Sequence, residues 1–430
     1  MKKKCNISRR QAIKGLGALA SIQIVPRHVL GGPGHTPPSE VLTKGIIGCG
    51  IISHQHLTMP GKLLALCDVD ARHLERRRAQ AAEKGEKDVS CYHDFRELIA
   101  RDDIDIVHIA TPPHWHALMA IAAAKAGKDI WCEKPMSRTI GEGVAMAKAV
   151  QAQERIFRIN TWFRFQGGFY GLGTPVAPVK QAIQAGMFGW PLTITVGAVT
   201  GFGWKQHLWT GRKNLPIESV PDHFDYDMWL GPAPKKPYHP HRTHETFRGY
   251  WDYDGGGLGD MGQHYLDPVQ FMLGKDSEAP ARVEVDADPQ DADAVGVWRR
   301  ITFTYADGCK IVLDGRSREE VKGERAKYIQ GPKGWLGRRF ESNIPDLRKK
   351  ISQLPPLEPV VTDFHESVRT RKKFALNEDN GFWSTTMINM GKIALRLNKN
   401  LNFDSKTLTF DDEEANKLVH PPMRGPWKLS

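Results

Sequence analysis

The chain has 430 residues and a formal net charge of +11, with 60 Lys and Arg against 49 Asp and Glu. Residues 1–30 contain no acid but hold Lys2, Lys3, Lys4, Arg9, Arg10, Lys14 and Arg27, which leaves a formal +4 for everything that follows. That small excess removes the electrostatic case for nucleic-acid binding, and the remaining length suits two domains with one sizeable core each.

At the N-terminus, Ser8-Arg9-Arg10-Gln11-Ala12-Ile13-Lys14 precedes the weakly apolar run Gly15 to Val25. The pattern resembles a twin-arginine export signal over residues 1–30, which implies a periplasmic location for a chain exported after folding. The apolar core falls short of the about 20 residues that a spanning helix needs, and no other stretch approaches that length, so no stable membrane insertion is expected. No small-x-small cleavage site stands out, so Val25 to Pro38 is a candidate N-terminal arm.

From Lys44 the chain reads as a nucleotide-binding unit. A β-branched strand runs into Gly48-Cys49-Gly50-Ile51-Ile52-Ser53: Gly48 permits the tight turn, Gly50 allows a pyrophosphate to approach the backbone, and Ser53 is small enough to keep helix and strand close. The next strand, Lys62 to Asp68, ends in a carboxylate where a ribose 2'-hydroxyl is held, which favours NAD over NADP. Crossover helices are predicted over Ala71 to Gly85, His93 to Arg101, His114 to Gly127 and Thr139 to Arg155, with strands at Asp105 to Ala110 and Ile156 to Asn160. Between them lies the short strand Asp129-Ile130-Trp131-Cys132, from which Pro135 forces the chain at Lys134. Ligands bind at the carboxyl ends of strands in an open parallel sheet, so Lys134 is expected in the crevice.

Past this unit, β-rich runs occupy Leu192 to Val199, Ala281 to Val285, Trp298 to Tyr305, Lys310 to Asp314 and Lys327 to Gln330. Residues 201–253 are rich in rings and cations, among them Phe202, Trp204, Trp209, Trp229, Tyr238, His241, Arg242, His244, Arg248, Tyr250 and Trp251. Flat rings edged by polar groups suit a sugar, although any one of them is more simply a loop anchor. In Gly255-Gly256-Gly257-Leu258-Gly259-Asp260, followed by His264, a helix from about Leu258 sets Asp260 and His264 one turn apart. A carboxylate so placed can fix the imidazole tautomer and leave a basic nitrogen, while the glycines suggest a tight turn or the close approach of a ligand. Helices over Thr362 to Arg371 and Asn380 to Leu397 are expected to close back on the first domain.

Together these motifs resemble the glucose-fructose oxidoreductase, inositol dehydrogenase and MocA family over nearly all of Lys44 to Leu429. The likeness rests on the glycine turn, Cys67-Asp68-Val69-Asp70, Ala110-Thr111-Pro112-Pro113-His114-Trp115-His116, Glu133-Lys134-Pro135, Trp229-Leu230-Gly231-Pro232, and Asp260 with His264. It implies an α/β protein with an N-terminal Rossmann dinucleotide-binding domain and a C-terminal α/β domain whose large, open, mostly antiparallel sheet often forms a homo-oligomer interface. The corresponding boundaries are 31–162 for the Rossmann domain, 163–375 for the substrate and oligomerisation domain, and 376–430 for a C-terminal helix and tail packing on the first.

The resemblance also implies chemistry. Lys134, Asp260 and His264 become the catalytic set for NAD-dependent oxidation of a secondary carbohydrate hydroxyl, with His264 as base, Lys134 stabilising charge on the oxygen and Asp260 orienting the imidazole. Gly48, Gly50, Ile51, Ile52, Asp68, Thr111, Pro112, His116, Glu133, Lys134 and Trp162 are expected to hold the cofactor, Trp162 standing where many relatives carry a polar amide. Arg164, Tyr250 and Tyr265 are expected, with His264, to touch substrate. Export with a retained dinucleotide requires that NADH be reoxidised in place. A glycosidase working by transient oxidation and elimination is the alternative, and an inactive NAD-binding module is a third reading.

The cysteines beyond Cys5, namely Cys49, Cys67, Cys91, Cys132 and Cys309, are odd in number and read as small buried hydrophobes instead of disulfide partners. The alternating pairs His54 with His56, His114 with His116, and His239 with His241 offer no convergent third ligand, so no metal site is expected.

Overall fold

The computed structural model describes residues 41–161, 163–165 and 175–429; the stretch read as a twin-arginine signal and Trp162 lie outside them. Strands β1 (Thr43–Ile47), β2 (Lys62–Cys67), β3 (Ser90–Tyr92), β4 (Ile106–Ile109), β5 (Asp129–Cys132) and β6 (Phe157–Ile159) form a parallel sheet in the order β3-β2-β1-β4-β5-β6. The helices between them are α1 (Ser53–Thr58), α2 (Ala71–Glu83), α3 (Phe95–Ile99), α4 (His116–Lys125) and α5 (Ile140–Ala152). Their starts are fixed locally: Asp70 and Asp94 accept from the first-turn amides of α2 and α3, and Thr139 with Glu142 closes a capping box on α5. The strand order reverses at β1 and β4, where a crevice opens outside the carboxyl ends of the strands.

The second sheet has eight strands: β7 (Thr193–Gly197), β8 (Arg282–Asp286), β9 (Arg300–Thr304), β10 (Lys310–Asp314), β11 (Ile329–Gly331), β12 (Gly334–Leu336), β13 (Leu401–Asp404) and β14 (Thr409–Phe410). They run in the order β12-β11-β7-β10-β9-β8-β13-β14, with β7 and β10 parallel and the other pairs antiparallel. The remaining helices are α6 (Val176–Gln184), α7 (Tyr226–Leu230), α8 (Gly256–Leu273), α9 (Leu347–Ser352), α10 (Phe364–Thr370), α11 (Glu378–Leu397) and α12 (Glu413–Val419). The mixed but mainly antiparallel sheet and the Rossmann domain agree with the architecture expected from the sequence.

Three local expectations change. Residues 401–410 do not form a tail on the first domain, because β13 pairs with β8 and extends the second sheet. Cys91 is exposed, since β3 is the edge strand of its sheet, whereas Cys49, Cys67, Cys132 and Cys309 are buried and all five are free thiols. The glycines at the start of α8 make room for protein atoms and not for a ligand. A Cβ on Gly257 would stand 2.1 Å from the Trp204 carbonyl oxygen, and one on Gly259 2.2 Å from Asp254 Oδ1. Glycines are poor helix formers, so α8 owes its stability to packing: all its residues but Phe271 are buried, and it lies against α11.

Arg164 is buried and held by two acids from the end of α8 and just beyond. Its Nε and Nη2 donate to Asp267 Oδ2 and Oδ1 at 3.0 and 2.6 Å, and Nη1 and Nη2 donate to Asp276 at 2.8 Å each. Four of the five guanidinium N–H groups are thus spent on carboxylates inside the fold, and Arg164 does not line the cavity described below. Arg164→Met would strand the Asp267 carboxylate, which has no solvent exposure, and is expected to cost about 3–5 kcal/mol in urea unfolding at pH 7. A loss below about 1 kcal/mol would show that the pair carries no stability.

Candidate active site

A cavity of about 780 Å³ runs along the carboxyl ends of β1, β2, β4 and β5 and is closed on the far side by residues of the second domain. That size and position suit a bound small molecule. At its floor, Gly48 has φ +93° and a Cβ there would meet the Ala110 carbonyl oxygen at 2.6 Å, so no larger residue fits the turn. Gly50 has nothing within 4 Å of where a Cβ would stand, and the Ile51 side chain is 58% exposed on the wall. Asp68 Oδ2 accepts from Cys49 N at 2.5 Å and Oδ1 from Asp70 N at 2.8 Å, bonds that stiffen the turn around the carboxylate. Burial pushes this acid up to about 6 against the pull of those amides. An open glycine turn with an acid one strand away fits a dinucleotide, and Ile52, Thr111, Pro112, Glu133 and Lys134 share the same cavity.

His116 does not line it. The ring is fully buried, with Nδ1 2.8 Å from the Pro135 carbonyl and Nε2 2.8 Å from the Thr111 carbonyl, so it braces the two loops from behind. His114 and Trp115 act in the same manner: His114 Nε2 and Trp115 Nε1 both meet the Trp229 carbonyl at 3.0 Å, tying the β4 loop to α7.

Glu133 ends a buried relay. Its Oε1 meets His56 Nε2 at 3.0 Å and Asn160 Nδ2 at 2.5 Å, and His56 Nδ1 faces His108 Nδ1 at 2.9 Å. With Nε2–H of His56 donating to Glu133, its Nδ1 accepts from Nδ1–H of His108, a tautomer pattern fixed by the carboxylate. Burial alone would raise Glu133, but His56, Lys134 and Asn160 bring it down to about 2, so it is ionised.

The strongest electrostatic feature lies beside it. Lys134 Nζ donates to both the carboxylate and the backbone oxygen of Asp260, each at 2.8 Å. Arg248 Nε donates to Asp260 Oδ1 at 2.8 Å, Trp209 Nε1 to Oδ2 at 3.0 Å, and Lys205 Nζ lies 3.7 Å from Oδ2. Burial opposes ionisation of Asp260, yet Lys134 and Arg248 hold the acid well below the usual carboxylate range. The expected orienting bond from Asp260 to the imidazole is not formed, because these cations and the indole take its oxygens. His264 Nδ1 meets Thr161 Oγ1 at 3.0 Å instead. Burial, and then the Lys134 charge, push the imidazole down to about 3, which keeps it neutral. The tautomer in which Nδ1 donates to Thr161 carries its lone pair on Nε2.

Two further expectations about substrate contacts are corrected along with Arg164. Tyr250 is fully buried in an aromatic core with Tyr226, Trp229, Tyr238 and Tyr253, and its hydroxyl faces His241 Nδ1 at 2.7 Å. Tyr265 donates to the Gly203 carbonyl at 3.1 Å and packs edge-on against Phe202 and Trp204. Many rings of residues 201–253 are therefore anchors, whereas Trp209, Trp229, His244 and Phe247, with the Arg248 guanidinium, line the cavity.

No motif along the chain points to Asp254. This carboxyl lines the cavity, is only 1% exposed, and its Oδ1 has no hydrogen-bond partner among the described residues. Burial and then the neighbouring Asp260 charge raise it to about 6, against Lys392 and Arg248. A buried acceptor without a donor costs free energy, which a ligand hydroxyl would recover.

Comparison with known proteins agrees with this geometry. Residues 42–161 match the oxidoreductase family's NAD-binding Rossmann fold, and residues 172–429 match the same family's C-terminal alpha/beta domain. The levoglucosan dehydrogenase of Pseudarthrobacter phenanthrenivorans is 30% identical over 213 residues, 48% of this chain and 44% of that protein. The inositol 2-dehydrogenase of Salmonella paratyphi B is 32% identical over 161 residues, 36% of this chain and 44% of that protein. The chain thus spans less than half the length of these curated relatives. Among solved structures, the WlbA dehydrogenase of Bordetella pertussis in complex with NADH and UDP-GlcNAcA has a TM-score of 0.57 at 18% identity, covering 85% of this chain and 99% of that one, a likeness of fold. With both of its domains matched in order along one chain, this protein belongs to the Gfo/Idh/MocA family of oxidoreductases.

Proposed function

We propose that this protein is an NAD-dependent dehydrogenase that oxidises a secondary hydroxyl of a sugar or glycoside. The observation that carries the reading is Lys134, fixed 2.8 Å from Asp260 at the carboxyl end of β5, with neutral His264 in the same cavity. The names of its relatives, which include levoglucosan and inositol dehydrogenases, support a carbohydrate or polyol substrate. Gly48, Gly50 and Asp68 would hold the dinucleotide, which supplies the hydride acceptor when bound.

Each side chain then has a distinct task. Lys134 donates to the reacting oxygen and stabilises negative charge as it develops there, while Asp260, itself pinned by Arg248, keeps the ammonium from rotating away. His264 accepts the hydroxyl proton on Nε2, and Thr161 fixes its ring. Asp254, once ionised, accepts from a second hydroxyl of the substrate. Trp209 is bonded through Nε1 to Asp260 and carries the Arg248 guanidinium over one face, 4.8 Å from its centroid, so the C–H side of a sugar would stack on the opposite face.

Asp68→Ala should weaken NAD binding by roughly 10- to 100-fold, the worth of hydrogen bonds to a charged acceptor. Titration calorimetry on nucleotide-free protein measures this, and an unchanged affinity would remove Asp68 from the ribose site.

Lys134→Ala and His264→Ala should each lower turnover about 10²- to 10⁴-fold on the best substrate of a glycoside panel; His264→Ala should leave the melting temperature nearly unchanged, whereas Lys134→Ala, which strands the buried Asp260 carboxylate, should also lower it. For wild type, kcat/KM should rise with pH through about 6 as Asp254 becomes an acceptor, and Asp254→Asn should lose that limb. A keto-glycoside with its glycosidic bond intact is the expected product. Free sugar without net NADH would instead identify elimination of the glycosidic bond, and wild-type turnover in both variants would place the chemistry elsewhere.

We further propose that the protein reaches the periplasm with NAD already bound, motivated by Arg9 and Arg10 ahead of an apolar run. Replacing both arginines with lysine should leave folded protein in the cytoplasmic fraction, whereas unchanged fractionation would rule out a twin-arginine signal.

A further inference from the structure

None of the alternating histidine pairs converges on a common point. His56 faces Glu133 and His108, His114 and His116 face carbonyls, and His241 faces Tyr250. A different set does converge, from residues far apart in the chain. Asp70 caps α2 with Oδ1, which accepts from Arg72 N and His73 N at 2.8 and 3.3 Å. That leaves Oδ2 pointing across to the second domain, 3.4 Å from His244 Nε2 and 3.9 Å from His223 Nε2. His73, in the first turn of α2, places its ring centroid 4.5 Å from that of His244. One potential ligand atom from each of Asp70, His73 and His244 lies within 4.8 Å of the others. Donors around a tetrahedral ion with bonds of about 2.1 Å stand about 3.4 Å apart, so modest rotation of the two rings would close the site.

The frame for such a site is already rigid. Ala71 N donates to the His223 carbonyl at 2.9 Å, Asp225 N donates to the Val69 carbonyl at 2.9 Å, and Asp70 pairs with Phe224 as an isolated antiparallel bridge. Two imidazoles and one carboxylate are the donors of open zinc-type sites, whereas calcium and magnesium take oxygen ligands. His73 and His244 both line the cavity that also contains Asp68, at the end assigned above to the ribose of the dinucleotide.

We propose that Asp70, His73 and His244 bind one first-row divalent ion of the zinc type, which fastens segment 223–244 to α2 and slows escape of the cofactor. The His223 imidazole stands near enough to the Asp70 carboxylate to compete with water for the fourth position. The ion serves as a clamp: its ligands are distinct from Lys134, Asp260 and His264, and it takes no part in proton transfer.

The test uses the full-length protein with its bound nucleotide, stripped with EDTA and dialysed against buffered zinc. Elemental analysis should find about one zinc per chain, and His73→Ala and His244→Ala should each lower zinc affinity at least tenfold, while His239→Ala leaves it unchanged. Equal zinc content in all three variants would locate the ion elsewhere and overturn the site. Cobalt substitution of the wild type guards against misfolded variants: an intense visible band of four-coordinate cobalt is expected, and a weak octahedral spectrum overturns the assignment. Release of NADH, followed by its fluorescence, should slow several-fold when zinc is added to wild type. A rate indifferent to zinc would overturn the clamp, and because zinc uptake is measured separately, loss of the dehydrogenase reading would leave the metal result standing.

Discussion

The buried contact between Lys134 and Asp260 is what the rest of the site is arranged around. One partner leaves the Rossmann sheet at the end of β5 and the other comes from the first turns of α8 in the second domain. Removing two charges from water is expensive, and the cost is recovered only when every remaining donor and acceptor is matched. Here the matching is visible: Asp260 also receives Arg248 and Trp209, and Lys134 also reaches the Asp260 carbonyl. A contact this demanding fixes how the two domains meet, and the neutral imidazole of His264 takes its place one turn further along the same helix.

The carboxyls of Asp254 and Asp260 show how environment divides labour between like groups. Both are buried on the cavity wall, yet cations surround Asp260 and hold it ionised, while Asp254 feels burial and the charge of Asp260 and is raised to about 6. Such divergence between neighbouring acids is how a single site obtains both a permanent anion and a titrating group.

Much of this was legible from local pattern. The β-branched strand before Gly48, the acid closing the next strand and the proline after Lys134 each constrain backbone within a few residues, and all reappear at the cavity. The spacing of Asp260 and His264 correctly put them on one helix face, but spacing says nothing of competing cations, so the carboxylate turned to Lys134 and Arg248 instead of the imidazole. Arg164, Tyr250 and Tyr265 carry groups that could bind a sugar, but whether a polar side chain is spent inside the fold depends on distant partners such as Asp267, His241 and Gly203. Asp254 and the pairing of Asp70 with His244 were invisible for the same reason, since neither forms a motif along the chain.

Helix α11 has a mechanical consequence. It packs against α8 and β8 on the side of the second domain and against α5 and β6 of the Rossmann domain, so the two halves share a single beam instead of a hinge. Opening them like a clamshell would shear that helix from one set of neighbours and expose apolar faces that are now dry. Traffic into the crevice must then use its mouth as the fold leaves it, so the rate at which a large ligand comes and goes is a property of the scaffold itself.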